Sequence, residues 1–270
     1  VRSPLPVGAR KGKERAMLEH DRLERFARHI VLPEIGGAGQ ARLAASHVVL
    51  IGAGGVGSPA LQYMAAAGVG KLTIVDSDEV HVSNLQRQTI FTHDDIGASK
   101  ASRAAYWARA FDPAIDVTAM NTRIDAGNAR AIVAGADLVL DGCDNFATRL
   151  AVSDACVAEG VPLTSVAVGR FQGQVANFAG HRAGHACYRC WVGDAFDADD
   201  CDTCAEQGVL GAFVGMAATM GVMQGLRVLL DGVSTLGDPQ WGQLVLIDGL
   251  KPSMRTINVT KDPACKACSG

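Results

Sequence analysis

The sequence carries little net charge, no recognisable export segment and no assembled catalytic triad, and each absence removes a class of function. Lys and Arg number 25 against 28 Asp and Glu, a balance of −3, so nothing points to a polyanion-binding surface, and neither nucleic acid nor a membrane is expected as a partner. Seven histidines are scattered along the chain without a Ser/His/Asp arrangement. One stretch, Val209 to Leu230, is long and apolar enough to raise a membrane span. Gln224 and Arg227 interrupt it, and Gly211, Gly215, Gly221 and Gly225 suit close packing, so it reads as a helix buried in the protein or at an interface. Residues 1–16 set five basic side chains against Glu14, with no apolar period and no apolar h-region. They are expected to be a disordered extension or an expression remnant, with one domain over residues 17–270.

What is present is ordinary for a soluble α/β protein: 48% hydrophobic and 20% charged residues in 270, enough to bury a full core. His47 to Ile51 is a short apolar run of the kind that forms a strand buried on both faces. It leads into Gly52-Ala-Gly-Gly-Val-Gly57, a G-x-G-x-x-G pattern at Gly52, Gly54 and Gly57. An alanine-rich helix over 58–68 and a second strand over 71–75 follow, ending at Asp76. The glycines let backbone N–H groups approach phosphate at a helix N-terminus, and an acid about 20 residues on meets ribose hydroxyls. The polar run Ser77 to Gln88 sits at the same sheet edge, and Lys100 opens the next helix. Arg87 and Lys100 so close to a phosphate cradle fit a triphosphate better than a dinucleotide.

Strands are expected over 117–119, 138–140, 163–168 and 243–248, an antiparallel one over 173–179, and helices over 128–134 and 149–159. Near the N-terminus a helix is expected over 18–30, with Leu23, Phe26 and Ile30 on one face and Arg25 and Arg28 off it, then a short helical turn over 40–45. Asp141-Gly-Cys-Asp144-Asn145 brings two acids and an amide to another strand end. Mg²⁺ between them and the phosphates is one reading, since that ion takes one or two carboxylates plus phosphate oxygens. A helix cap by Asp144 or Asn145 is the other.

Four of the eight cysteines form two C-x-x-C pairs, Cys187/Cys190 and Cys265/Cys268. In a long chain this reads as metal or thiol chemistry in a reducing cytosol. Two such pairs can supply a tetrahedral Cys₄ zinc site, structural because thiolates leave no open position for water. Cys156 reads as core. Cys204, just before a helix N-terminus, is the candidate for nucleophilic or persulfide work, with Cys201 next.

Together these pieces resemble the ThiF/MoeB/HesA family, bacterial relatives of ubiquitin-activating enzymes. The resemblance rests on Arg25-Phe-Ala-Arg28-His-Ile-Val-Leu, Gly52 to Gly57, Val75-Asp-Ser-Asp-Glu-Val, Ser83-Asn-Leu-Gln-Arg-Gln88, Lys100, Asp141 to Asn145, both C-x-x-C pairs and Thr203 to Gly211, in family order over about residues 22–268. It implies a Rossmann-like doubly wound, mostly parallel α/β sheet continued by antiparallel strands, with a Cys₄ zinc knuckle. It implies MgATP-dependent adenylylation of the C-terminal glycine of a ubiquitin-like sulfur carrier, MoaD-like or ThiS-like, in molybdopterin or thiamine biosynthesis. Gly55 would lie at the phosphates, Asp76 at the ribose, Asn84, Arg87 and Lys100 on the triphosphate, and Asp144 on Mg²⁺. A homodimer is implied, with Arg28 reaching the partner's ATP site. No rhodanese-like segment follows Cys268, so a separate sulfur donor, a cysteine desulfurase or rhodanese-type protein, is expected. Two departures are Gly142-Cys143 in place of Cys-Thr, expected to be tolerated, and Ala212 where proline is frequent. The competing readings are a nicotinamide-dependent oxidoreductase, disfavoured by Arg87, Lys100 and Asp144, and a silent scaffold for a ubiquitin-like partner, disfavoured because Arg28, Asp76, Arg87, Lys100 and Asp144 are all retained.

Overall fold

The computed structural model describes residues 20–193 and 208–269. One eight-stranded sheet organises them, in the order β3-β2-β1-β4-β5-β6-β7-β8. The strands are β1 His47–Ile51, β2 Lys71–Val75, β3 Asp116–Met120, β4 Leu138–Asp141, β5 Leu163–Gly169, β6 Gln172–Phe178, β7 Gln243–Asp248 and β8 Ser253–Asn258. β1 to β5 pair in parallel, and β5 through β8 pair antiparallel. The expected mixed α/β sheet is therefore present.

Alternation along the parallel strands builds two cores. Leu50, Ile74 and Leu140 face one side, packing with α4 (Gly57–Ala67), α5 (Lys100–Phe111) and α9 (Gly211–Leu229). Val49, Ile51, Val75 and Val139 face the other, with α6 (Ala129–Val133) and α7 (Phe146–Glu159). Strands covered on both faces read as continuous apolar runs, which is why they are legible in the sequence. Truncating a side chain such as Leu140, fully buried, would cost about 2–5 kcal/mol.

The long apolar helix α9 lies against α4, β5 and β6. Its glycines permit this approach. A Cβ at Gly225 would come within 2.8 Å of Leu138 Cδ2 and 2.9 Å of Met64 Cε, and one at Gly221 would overlap Val166. The helix passes the length and composition test for a membrane span, but half of it is buried inside the protein, as a packed core helix would be.

The N-terminal helix differs from expectation. It is split at Phe26 into α1 (His20–Arg25) and α2 (Ala27–Ile30). Phe26 leaves helical geometry (φ −103°, ψ 13°) and turns into the core at 2% exposure, while Leu23 stays 43% exposed. Burying one aromatic outweighs keeping a continuous helix. α3 (Gly36–Ala44) starts earlier than the expected turn, and α7 starts at Phe146 because Asn145 caps it. The short α8 (Tyr188–Val192) and the edge strand β8 lack a clear sequence signal.

Candidate nucleotide cleft and cysteine cluster

Strand order reverses direction between β1 and β4, the switch point where open α/β sheets bind ligands. The register brings the carboxyl ends level: Ile51 pairs with both Val75 and Asp141, and Val75 with Met120. Gly52, Asp76 and Gly142, each one residue further on, therefore meet at one edge. A cleft of ≈ 780 Å³ opens there, lined by Gly52, Gly54, Gly55, Asp76, Asn84, Arg87, Lys100 and Asp144 among others.

The glycine turn has steric reasons at particular positions. Gly52 has φ +83°, a left-handed conformation that disfavours a side chain, and a Cβ there would lie 3.4 Å from the backbone of the β4 loop. A Cβ on Gly57 would overlap the Gly52 carbonyl, so the turn closes only with glycine at both ends. α4 then begins with no side-chain cap at Val56, leaving its N-terminal partial positive charge for a ligand.

Asp76 is held by two backbone donors. The Ala53 N–H donates to Oδ2 at 2.7 Å and the Asp78 N–H to Oδ1 at 2.8 Å. Burial pushes this carboxyl above its ordinary value, opposed by those two N–H groups and by Lys100. The carboxylate thus ties the glycine turn to the loop after β2 while keeping lone pairs for hydroxyl donors.

The cations come from the next segment. The Asn84 Oδ1 accepts from the His81 N–H at 3.0 Å, capping a 3₁₀ turn and leaving its NH₂ as the donor toward the cleft. Arg87 donates to the Ser83 carbonyl at 3.0 Å, and among the described residues no carboxylate pairs with it. Lys100 is 5% exposed and its Nζ donates to Asp78 at 2.8 Å. One of its three N–H donors is used there, so two remain.

At the end of β4 the two acids separate in role. Asp141 is 1% exposed, pairs with Arg149 at 3.6 Å and accepts from the Cys143 N–H at 3.0 Å. It is a loop anchor, so the reading in which both acids face a metal is corrected. Asn145 accepts from the Thr148 N–H at 3.0 Å and caps α7. Asp144 remains exposed in the cleft, its carboxylate without a cationic partner among the described residues. Its oxygens are of the donor type Mg²⁺ takes.

Arg149 carries no signal in the sequence beyond opening a helix. It is 6% exposed, lines the cleft and bonds to Ser165 Oγ, to Val166 O at 2.9 Å and to the Cys143 carbonyl. Cys143 also lines the cleft. Burial first, and then the Asp141 charge, raise its pKa well above the ordinary thiol value, so it is a neutral thiol and a poor nucleophile.

Arg28 is exposed on α2 and does not line its own chain's cleft. Cys201 and Cys204 lie outside the described residues. Cys156 is buried at 2%, as expected for a core residue. α9 begins at Gly211 with Ala212 in its first turn, so the helix start does not require proline.

Cys187, Cys190, Cys265 and Cys268 bring their sulfurs within 4.8 Å of one another. Adjacent Sγ atoms are 3.5–3.8 Å apart, close to the roughly 3.8 Å edge of a tetrahedron with Zn–S bonds of about 2.3 Å. The Asp262 N–H points at Cys190 Sγ at 3.4 Å, a donor of the kind that supports a ligating thiolate. The four residues fit zinc, and none of them lines the cleft.

A switch-point cleft with a glycine turn, a ribose-type acid and clustered cations defines a nucleotide-binding α/β protein. The family model described as "ThiF family" matches residues 26–267. The chain belongs to the ThiF family. It is 39% identical over 251 residues to a SAMP-activating enzyme E1 of Haloferax volcanii, covering 93% of this chain and 90% of that one. It is 40% identical over 252 residues to a sulfur carrier protein adenylyltransferase of Thermus thermophilus, covering 92% and 91%. Among solved structures, Escherichia coli MccB superposes with a TM-score of 0.78 at 19% identity, over 91% of this chain and 72% of that one. At that identity the likeness concerns the fold.

Proposed function

We propose that this chain uses MgATP to adenylylate the C-terminal glycine of a ubiquitin-like sulfur carrier protein, MoaD-like or ThiS-like, activating it for thiocarboxylate formation. The observation that carries the reading is the gathering of Arg87, Lys100, Asp76 and Asp144 around the glycine turn in one cleft. A relative at 40% identity, named a sulfur carrier protein adenylyltransferase, supports the choice of substrate.

The chemistry follows from charge. A terminal carboxylate is already ionised, so its attack on the α-phosphorus needs no general base. A carboxylate oxygen–phosphorus bond forms, the bond from the α-phosphorus to the bridging oxygen breaks, and pyrophosphate leaves with the electron pair. The obstacle is anion–anion repulsion. Gly52, Gly54, Gly55 and Gly57 let the turn approach the phosphates, Asp76 accepts from ribose hydroxyls, and Asn84, Arg87 and Lys100 donate to the triphosphate. Asp144 would hold Mg²⁺, which supplies further neutralisation of phosphate charge when bound. Preorganised donors of this kind stabilise the departing pyrophosphate.

A homodimer completes the account. Arg28 stands outside its own cleft, and the outward side of α9 presents Met216 and Met223, 39% and 46% exposed, an apolar face suited to a second copy. Zinc at Cys187, Cys190, Cys265 and Cys268 would clamp α8 to the C-terminal segment. With Cys143 a neutral thiol, Cys204 is the candidate for sulfur transfer, from a cysteine desulfurase or rhodanese-type donor in the cytoplasm. The test is mass spectrometry of a purified carrier incubated with this protein and MgATP. An AMP adduct on the terminal carboxylate is expected, and ATP consumption with an unmodified carrier would reverse the reading.

A further inference from the structure

The segment bearing Arg28 is fastened to its own subunit by one buried acid at the far end of α5. Asp112 follows that helix directly and is 2% exposed. Both arginines of α1 converge on it: Arg22 forms an ion pair with Oδ2, and Arg25 Nε lies 3.6 Å from the same oxygen. Arg25 also donates to the Phe111 carbonyl at 3.1 Å and sits 4.8 Å over the Phe111 ring, while Arg22 sits 4.7 Å over Phe26. Two guanidinium groups on one buried carboxylate make a strong, geometrically defined attachment. Beyond Phe26, His29 Nδ1 lies 3.1 Å from Gln40 Oε1 and Gln40 donates to the Ala67 carbonyl at 2.9 Å. Arg28 lies between these two anchors, exposed and without an ion-pair partner among the described residues.

The same helix α5 starts at Lys100, which lines the cleft of its own subunit. At 12 residues it is a strut about 18 Å long with a cleft cation at one end and the arginine clamp at the other. We propose that Asp112 is a positioning residue for the reaction in the partner subunit: through Arg22 and Arg25 it fixes α1 and α2, and so holds Arg28 where the partner's cleft needs it. This rests on the adenylylation reading and on Arg28 acting across the dimer. Displacing an oriented group by about 1 Å can cost on the order of 100-fold in rate, and loss of one of two anchors is expected to cost 10- to 100-fold.

Mixed dimers separate the two directions in which Asp112 could act. In the first, one subunit carries Lys100→Ala together with Asp112→Asn and the other is wild type. The only live cleft then takes Arg28 from the subunit with the broken clamp, and carrier-dependent ATP–pyrophosphate exchange should fall 10- to 100-fold below a Lys100→Ala/wild-type dimer. In the second, one subunit carries Lys100→Ala alone and the other Asp112→Asn. Its live cleft takes Arg28 from an intact clamp, and exchange should equal that of the control. Loss in the second arrangement with none in the first, or equal rates in both, overturns the proposal, because Asp112 would then act within its own subunit or not at all. Arg25→Gln takes one of the two guanidinium groups from Asp112 without altering α5, should give the same pattern with a smaller loss, and keeps the test decisive if Asp112→Asn folds poorly. Failure of the underlying reading looks different: wild-type protein would show no exchange, or Arg28→Ala in the same two arrangements would act on its own cleft.

Discussion

Removing one ligand of the cysteine cluster is the sharpest test of how the antiparallel half of the sheet is held. Cys187 and Cys265 are 78 positions apart in the chain and bring their sulfurs to 3.5 Å. A metal joining them closes a loop of that length in the unfolded chain as a disulfide would. The chain-entropy relation gives roughly 4–5 kcal/mol for such a closure. For a protein of this size each kcal/mol moves the midpoint about 2–4 °C, so Cys265→Ser should lower Tm by roughly 10–15 °C. Zinc content, measured by mass spectrometry of the acid-digested protein, should drop from one per chain to none. Because no ligand cysteine lines the cleft, exchange activity measured well below the new midpoint should remain within about twofold of wild type. A melting shift under about 3 °C with zinc lost would refute the clamp. Loss of catalysis in a variant that is still folded would refute the purely structural role.

Four further outcomes follow. Asp144→Ala should lower ATP–pyrophosphate exchange about 100- to 1,000-fold while leaving Tm unchanged, because its carboxylate is exposed and has no partner to lose among the described residues. Gly55→Ala places a Cβ 3.2 Å from Val214 Cγ1 and 3.3 Å from Arg87 Cδ, so calorimetry should find weakened ATP binding with little change in unfolding. Cys143→Thr should retain exchange, since the thiol is held neutral by burial and takes no part in the reaction. The fourth concerns pH. Burial raises the Asp76 pKa above 3.8, so the apo fold carries a penalty for keeping it ionised, present above the folded pKa and relieved as pH falls through it. ATP binding needs the ionised form and should therefore weaken on acidification earlier than an exposed aspartate would dictate. Asp76→Asn should bind ATP weakly and lose that part of the pH dependence.

The parallel half of the fold was readable because its signals are local. An apolar strand, a glycine turn that nothing but glycine can close, and an acid one residue past the next strand are all visible within His47 to Asp76. The cleft residues after β2 were readable for the same reason, since strand ends define the ligand edge. What escaped depends on contacts distant in sequence. Arg149 looks like any helix-opening arginine until β5 supplies Val166 O and Ser165 Oγ. Asp141 looks like a second metal acid until that same arginine neutralises it. Phe26 breaks its helix because the core beside Gly68 is there to receive it, where a Cβ on Gly68 would meet the ring. β8 is exposed at most positions, so it carries no apolar alternation, and its edge position is set entirely by pairing with β7. The cysteine pairs announced a metal by type and spacing, but only the fold brings the two pairs together.

ATP–pyrophosphate exchange, with purified MoaD-like and ThiS-like carriers added separately, tests the central claim most directly. Adenylylation of a carrier requires exchange that depends on Mg²⁺ and on a carrier with its terminal glycine intact, with one carrier naming the pathway and both meaning service to two. Tight ATP binding with no exchange on either carrier would contradict it and favour a silent scaffold for a ubiquitin-like partner.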